Sequence, residues 1–251
     1  YDVPKEVRDV EGGSMLYAGK YSAPDYELLL SHGCDLAIES TMVLQAPDVL
    51  EKMEELGIPV FIDLSGLESH PLGRTEWIKA YGVLFSREPA AETVFAEQIS
   101  ALSGLVPGEN GPTAAYFYLN SNGAVVSKSA ADYMAGLISI AGGRYLGPEG
   151  APGHGASVTV SMESFYALAR EADYLFYNGA IDDPPASLEE LISRNELFRD
   201  FNAVREGRVY SVSAALYQSS VQFGEAAREL HSLLGGADTD LPAGGFFRRL
   251  P

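Results

Sequence analysis

Apolar residues recur at intervals of three and four through residues 88–106, placing Ala91, Val94, Phe95, Ile99, Leu102, Leu105 and Val106 on one stripe. That spacing predicts an amphipathic helix of about five turns. Ser86 stands where a cap is needed, Pro89 suits the first turn, and Gly104, Pro107 and Gly108 end the pattern. Before this stretch the pattern predicts a short helix over 22–33, capped by Ser22, with Pro24 and Asp25 in its first turn and Gly33 as its stop. A buried strand over 35–40 follows, then a helix over 47–56 with Val49, Leu50, Met53 and Leu56 on one face. Residues 58–64 form a β-branched strand, 68–74 a loop, and 75–85 a helix with Trp77, Ala80, Tyr81 and Leu84 inward.

Beyond residue 106 the same alternation continues. Residues 113–120 read as a strand and 121–129 as a loop. A helix over 130–141 is introduced by Ser129 and Asp132, which resemble a capping box, and closed by Gly142-Gly143. Residues 146–157 are a Gly/Pro-rich loop, 161–172 a helix capped by Ser161, and 173–179 a strand. Ser187 and Glu190 form a capping box before 188–194, residues 208–214 are a last strand, and 219–234 a last amphipathic helix. Residues 235–251 read as a surface tail. Strands alternating with helices predict an α/β fold with mainly parallel sheets. The pattern also echoes itself across the central helix: Asp25 precedes Asp35 by ten residues, as Glu163 precedes Asp173.

Composition adds a constraint on partners. The 251 residues carry 17 Lys and Arg against 35 Asp and Glu, a formal net charge of −18. Such a field opposes nucleic acid and anionic membranes; it suits cationic ligands, metal complexes or a basic partner, or serves solubility alone. The single cysteine, Cys34, excludes an intrachain disulfide and any multi-cysteine metal site, and it leads into an apolar run as a buried structural thiol would. No stretch reaches the ~18 apolar residues of a membrane span. The chain shows neither a signal peptide nor an initiating Met, so a processed product or a truncated form is expected.

The segments YSAPDYELLLSHGCDLAIES, PDVLEKMEELGIPVFID and HPLGRTEWIKAYGVLFSREPAAETVF, followed by LISIAGGRY, VSMESFYALAREADYLFYNG and FNAVREGRVYSV, share an order and spacing. Together they resemble the substrate-binding proteins of ABC importers, in the subgroup for iron–siderophore complexes, haem and vitamin B12. The resemblance implies two Rossmann-like lobes joined by one long helix: residues 1–87, a connecting helix at 88–106, and residues 107–251. It implies capture of an iron complex between the lobes and delivery to a membrane permease, outside the cytoplasm, by a periplasmic protein or an anchored lipoprotein. Members carry a further strand–helix portion ahead of the YSAPDYE segment, so the first lobe is expected to be shortened.

The same resemblance names site residues. Glu27 and Glu163 are expected to dock on permease arginines, each in the first turn of a helix, where the dipole favours carboxylates in any case. Ligand contact is expected from Tyr21, Glu39, Ser40, Thr41, His70, Arg74, Tyr118, Asn120, Arg144, Tyr145, His154 and Tyr217, which flank strand ends. Tyr21 can stack on a planar ligand or bind ferric iron as phenolate. His70, before a proline, equally serves loop backbone groups, and Arg74 equally balances Glu68 or Glu76. His154 lies in a Gly-rich loop, and His32 and His231 read as surface residues. No nucleophile elbow, H-E-x-x-H, Walker A or dinucleotide motif occurs, so binding is expected over catalysis, with no resident cofactor beyond a bound iron complex or haem. A metal-dependent two-lobed enzyme and a non-transporting sensor are the alternatives.

Overall fold

The computed structural model describes residues 9–108, 110–150, 157–236 and 244–251. The chain divides into two compact units, Tyr1–Leu67 and Glu68–Pro251. In the first unit a short hairpin, β1 (Gly19–Lys20) and β2 (Ala23–Pro24), leads to α1 (Tyr26–Ser31). Asp25, not Ser22, caps α1: its carboxylate accepts from the Leu28 amide at 3.0 Å. Pro24 pairs in β2, so the helix can begin only after Asp25, and Ser22 is left in the hairpin turn. β3 (Ala37–Ser40) and β4 (Val60–Asp63) pair in parallel across α2 (Pro47–Glu55), with Ala37 opposite Val60. Ala37, Val43, Val49, Met53 and Ile58 form the core, with Leu50, Leu56 and the half-buried Cys34 packed against it.

The second unit opens with α3 (Pro71–Glu76) and α4 (Ile78–Leu84). The expected loop over 68–74 and single helix over 75–85 are thus corrected to two helices. Pro71 stands first in α3, where its missing N–H does no harm, and His70 Nδ1 accepts from the Leu72 amide at 3.2 Å. Pro71, Thr75 and Gly82 are the buried positions, while Leu84 is exposed. α4 turns into α5 (Glu88–Ala101) through a Schellman motif: Arg87 N–H reaches Gly82 C=O at 2.6 Å and Ser86 N–H reaches Val83 C=O at 3.3 Å. Ser86 therefore lies outside α5, at φ +52°, and helps close α4 instead of capping α5.

α5 is shorter than its apolar stripe, because Leu102 already closes it. The stripe is only partly buried. Ala91 and Ala101 are inside, Ile99 and Val106 are exposed, and the third buried residue is Gln98. Its Oε1 accepts from Gly224 N–H at 2.8 Å and its Nε2 donates to Glu225 at 3.0 Å. These reach α11 (Phe223–Leu234), which approaches so closely that a Cβ on Gly224 would stand 2.8 Å from Ala101 Cβ.

The sheet of the second unit is built on β5 (Thr113–Leu119), β6 (Val125–Lys128), β7 (Arg144–Tyr145), β8 (Ser157–Val160), β9 (Tyr174–Asn178), β10 (Val209–Val212) and β11 (Phe247–Arg249). Its order is β11-β10-β9-β5-β6-β8, with β7 beside the start of β5. The β10–β9, β9–β5 and β5–β7 pairs are parallel, and the outer pairs are antiparallel. Two expectations are corrected here. The loop over 121–129 contains β6, turned back on β5 through Asn122-Gly123, a hairpin signature. The tail over 235–251 ends in β11, with Phe247 and Leu250 buried.

Alternate residues of β5 feed two cores, as a strand with both faces covered requires. Ala114 and Tyr116 pack with α6 (Tyr133–Ile140) and α11, while Ala115, Phe117 and Leu119 pack with α7 (Met162–Ala169), Phe198 and Phe201. Asp132, not Ser129, caps α6 through the Met134 amide at 2.9 Å. The remaining helices are α8 (Leu188–Arg194), α9 (Asn202–Arg205) and α10 (Ala214–Gln218). At the start of α8 Ser187 Oγ accepts from Glu190 N–H at 3.2 Å, as its capping box predicts.

Ser86→Gly is expected to raise stability by about 1 kcal/mol in chemical denaturation, because the left-handed conformation costs a side chain about that much. Phe247→Ala is expected to lower it by roughly 3 kcal/mol, the loss for a buried aromatic, where a surface tail would give almost none.

Candidate functional site

Open α/β sheets place ligands beyond the carboxyl ends of their strands. α6 packs on β5 and ends where β7 pairs with Thr113 and Ala114, so α6 runs opposite to β5. Its N-terminus, with Asp132 and Tyr133, therefore lies toward the carboxyl end of β5. After β10, Ser213 Oγ caps α10, which carries Tyr217. α3 joins them: the buried Thr75 hydroxyl donates to Ser220 C=O at 2.7 Å, and Pro71 sits against Gly136. Arg74 thereby meets Tyr133, its guanidinium carbon 3.9 Å from the ring centre.

Mutual electrostatic influence groups Tyr116, Asp132, Tyr133, Tyr145 and Tyr217 with Arg74 in this neighbourhood. Burial, first of all, pushes the phenols of Tyr116, Tyr133 and Tyr145 up, and the Asp132 carboxylate adds to each; Arg74 partly offsets the rise at Tyr133. Tyr145 donates its hydroxyl to Lys128 C=O at 2.6 Å. Asp132 is buried and lies 3.7 Å from Lys128 Nζ. Tyr217 is 62% exposed. Tyr116 and Tyr133 are buried in the core and Tyr145 gives its hydroxyl proton to Lys128 C=O, which leaves Tyr217 as the exposed phenol of the group. No group of three or more His, Cys, Asp or Glu among the described residues is placed to hold a metal.

Of the expected ligand residues, the structure brings Arg74, Tyr145 and Tyr217 together. Tyr118, half-buried, packs against the Phe117 core. Asn120 Oδ1 accepts from the Asn122 and Ala124 amides, both at 3.0 Å, and so shapes the β5–β6 turn. Arg144 is exposed and registers with Thr113, at the amino end of β5. His70 has its Nδ1 committed to capping α3. In the first unit, Tyr21 sits half-buried in the β1–β2 turn, and Glu39 and Thr41 are half-buried. Burial raises the Glu39 carboxyl above its ordinary value, and Ser40 Oγ accepts from the Met42 amide at 3.3 Å. His154 lies outside the described residues.

Glu27 and Glu163 share a local position. Each is the second residue of its helix, after the caps Asp25 and Ser161, and each is exposed. The ten-residue echo had matched Asp25 with Glu163; counted from the caps, Glu27 is the equivalent residue. The Glu163 carboxyl is lowered by its own backbone amide and then by the Ser161 hydroxyl.

Sequence reading did not single out Tyr116 or Tyr133, and it read Asp132 only as part of a helix cap. It also missed a network beyond β9. Tyr177 donates to Asp182 at 2.5 Å and accepts from Arg194 at 3.0 Å and from the Leu119 amide at 3.3 Å. Burial, then the Asp182 bond, pushes the Tyr177 phenol up to about 12. A raised phenol favours the protonated folded state, so its contribution is intact below pH ~10 and lost as pH climbs toward 12. Denaturation midpoints are expected to fall steadily over that window, with phenolate absorbance at 295 nm rising late; Tyr177→Phe is expected to flatten part of the fall.

The periplasmic binding protein family profile matches residues 3–216. A curated relative, an uncharacterized lipoprotein of Methanocaldococcus jannaschii, is 25% identical over 225 residues, 86% of this chain and 51% of the relative. The chain thus spans about half the length of that relative. Among solved structures, a periplasmic heme binding protein of Vibrio cholerae superposes with a TM-score of 0.69 at 17% identity, over 91% of this chain and 86% of that one. A periplasmic catecholate-siderophore binding protein of Vibrio cholerae gives 0.66 at 14% identity, over 93% and 82%. At such identities these likenesses show a shared fold. The match over residues 3–216 means that the chain belongs to the periplasmic binding protein family, and its largely parallel sheet covered on both faces agrees.

Proposed function

We propose that this protein is the solute-capturing component of an ABC importer, acting outside the cytoplasm and taking up an iron complex such as a siderophore or haem. The observation that carries the reading is the exposed Tyr217 in the neighbourhood of Arg74, whose guanidinium lies over Tyr133. An exposed phenol and a flat guanidinium suit a planar or aromatic chelate that brings its own iron ligands. Hydrogen bonds and stacking then hold the chelate, and no covalent step is needed. The names of the structurally similar heme and catecholate-siderophore binders support the same ligand class. Glu27 and Glu163, exposed at equivalent helical positions, are the residues proposed to meet cationic side chains of a membrane permease. The connector role of residues 88–106 belongs to this proposal, and the hold of Gln98 on α11 supports its rigidity.

Haemin, ferric siderophores of catecholate and hydroxamate type, and cobalamin are the ligands to screen by thermal shift, with fluorescence quenching of Trp77, the single tryptophan. At a hundredfold excess over Kd, a binder is expected to add about 2.7 kcal/mol and raise Tm by roughly 5–10 °C. Tyr217→Ala is expected to weaken the bound chelate about 3- to 10-fold, the worth of one aromatic contact. Silence from the whole panel in both assays would end the proposal.

A further inference from the structure

A single exposed aliphatic side chain is ordinary on a protein surface. Ile181 is 56% exposed, but the segment that carries it is fixed at both ends. Residues 179–186 leave the carboxyl end of β9. At the near end Gly179 N–H donates to Val212 C=O of β10 at 3.0 Å, and the Ala180 amide donates to the buried Asn178 Oδ1 at 3.1 Å. A Cβ on Gly179 would stand 2.7 Å from that carbonyl and 3.5 Å from Pro184, so the segment starts pressed on β10 and folds back over its own start. At the far end Arg194 gathers the chain. Its Nη1 donates to Tyr177 Oη at 3.0 Å, to Asp182 at 3.2 Å and to Asp183 C=O at 3.3 Å. Its Nη2 donates to Asp183 C=O at 3.2 Å and to Glu190 at 2.9 Å, and Glu190 accepts the Ala186 amide at 2.8 Å. Asn178, Asp182 and Glu190 thus bind back onto the segment, and Ile181 is the exposed apolar side chain between them. A side chain on so fixed a backbone needs little ordering when a ligand covers it, and its burial is returned as affinity. Its place also suits contact. β9 and β10 run parallel with Asn178 opposite Val212, so the segments leaving their carboxyl ends begin side by side, where open α/β sheets take ligands. The segment after β10 carries the exposed Tyr217.

We infer that Ile181 is a ligand-contacting, specificity-determining residue that selects chelates with a hydrocarbon edge, and that Arg194 is its positioning residue. The inference rests on the proposed capture of an iron chelate and deepens it by naming the chemical class. Haemin and a ferric tris-catecholate carry such edges, whereas ferric dicitrate presents carboxylate and hydroxyl oxygen. The full chain is expected to bind haemin or the tris-catecholate more tightly than ferric dicitrate. Ile181→Ala is expected to weaken the preferred chelate about 3- to 10-fold, the loss for part of a buried aliphatic side chain, and to leave ferric dicitrate unchanged. Ile181→Leu is expected to keep the preference, with Tm unchanged in both variants. A double-mutant cycle tests Arg194. Arg194→Gln is expected to weaken the preferred chelate in the wild-type background and to add no loss in Ile181→Ala. An equal loss in both backgrounds, as structural support alone gives, or no loss in either, overturns the positioning role. Should Arg194→Gln fail to fold, Asp182→Asn, which leaves Arg194 bound to Asp183 and Glu190, takes its place in the cycle. Unchanged affinity in Ile181→Ala, or an equal loss for ferric dicitrate, overturns the inference while the proposed function stands. So does binding of any other chelate with haemin and the tris-catecholate both unbound. Silence from every chelate removes both.

Discussion

β5 has no solvent face, and most of the second unit follows from that constraint. Its residues must be apolar or self-satisfied on both sides, and its backbone groups must be passed to neighbours on both edges. The start of the strand is tied down by a compact set of bonds: Asp173 accepts from the Thr113 amide and hydroxyl at 2.8 Å, and its own amide donates back to Thr113 at 3.0 Å. From there β9 pairs in parallel on one edge, and β6 and β7 share the other. Helices must then cover both faces, which α6 and α11 do on one side and α7 on the other.

The same constraint orients α6. A helix that returns from β6 to the start of β5 has to run antiparallel to β5, and its first turn carries Asp132 and Tyr133. α3 packs beside it and brings Arg74 onto Tyr133. Arg74 and His70 therefore belong to the second compact unit, which begins at Glu68. Burial keeps the Tyr116, Tyr133 and Tyr145 phenols protonated inside the fold, and Tyr217 is the phenol left exposed.

Regular elements with strong signals were legible from residues alone. The strand over 113–119, the Ser161 and Ser187 caps and the helix over 47–55 needed only periodicity and cap chemistry, which act within a few residues. The misread stretches are those where a distant partner overrides the local pattern. Residues 125–128 are too short to show alternation and become a strand because β5 and β8 lie on either side. Residues 247–249 carry two arginines, yet pair because β10 presents an open edge and Glu229 accepts the Phe246 and Phe247 amides. Gln98 reads as the polar side of α5, but it is buried because Gly224 lets α11 come close enough to use its amide.

The site divides along the same line. Sequence by itself determined the α/β class, the acidic character of the chain, and the aromatic and charged residues available near strand ends, because those depend on composition and local order. It supplied Arg74, Tyr145 and Tyr217 by resemblance but could not say which of twelve ligand candidates share a neighbourhood. Only the tertiary structure decided that Tyr116, Asp132 and Tyr133 join them, that Asn120 shapes a turn, and that Tyr118 packs against the Phe117 core. The reason is physical. Which face a strand residue takes, and whether a phenol is desolvated, depend on elements a hundred or more residues away, such as α11 against β5, and no local spacing encodes that distance.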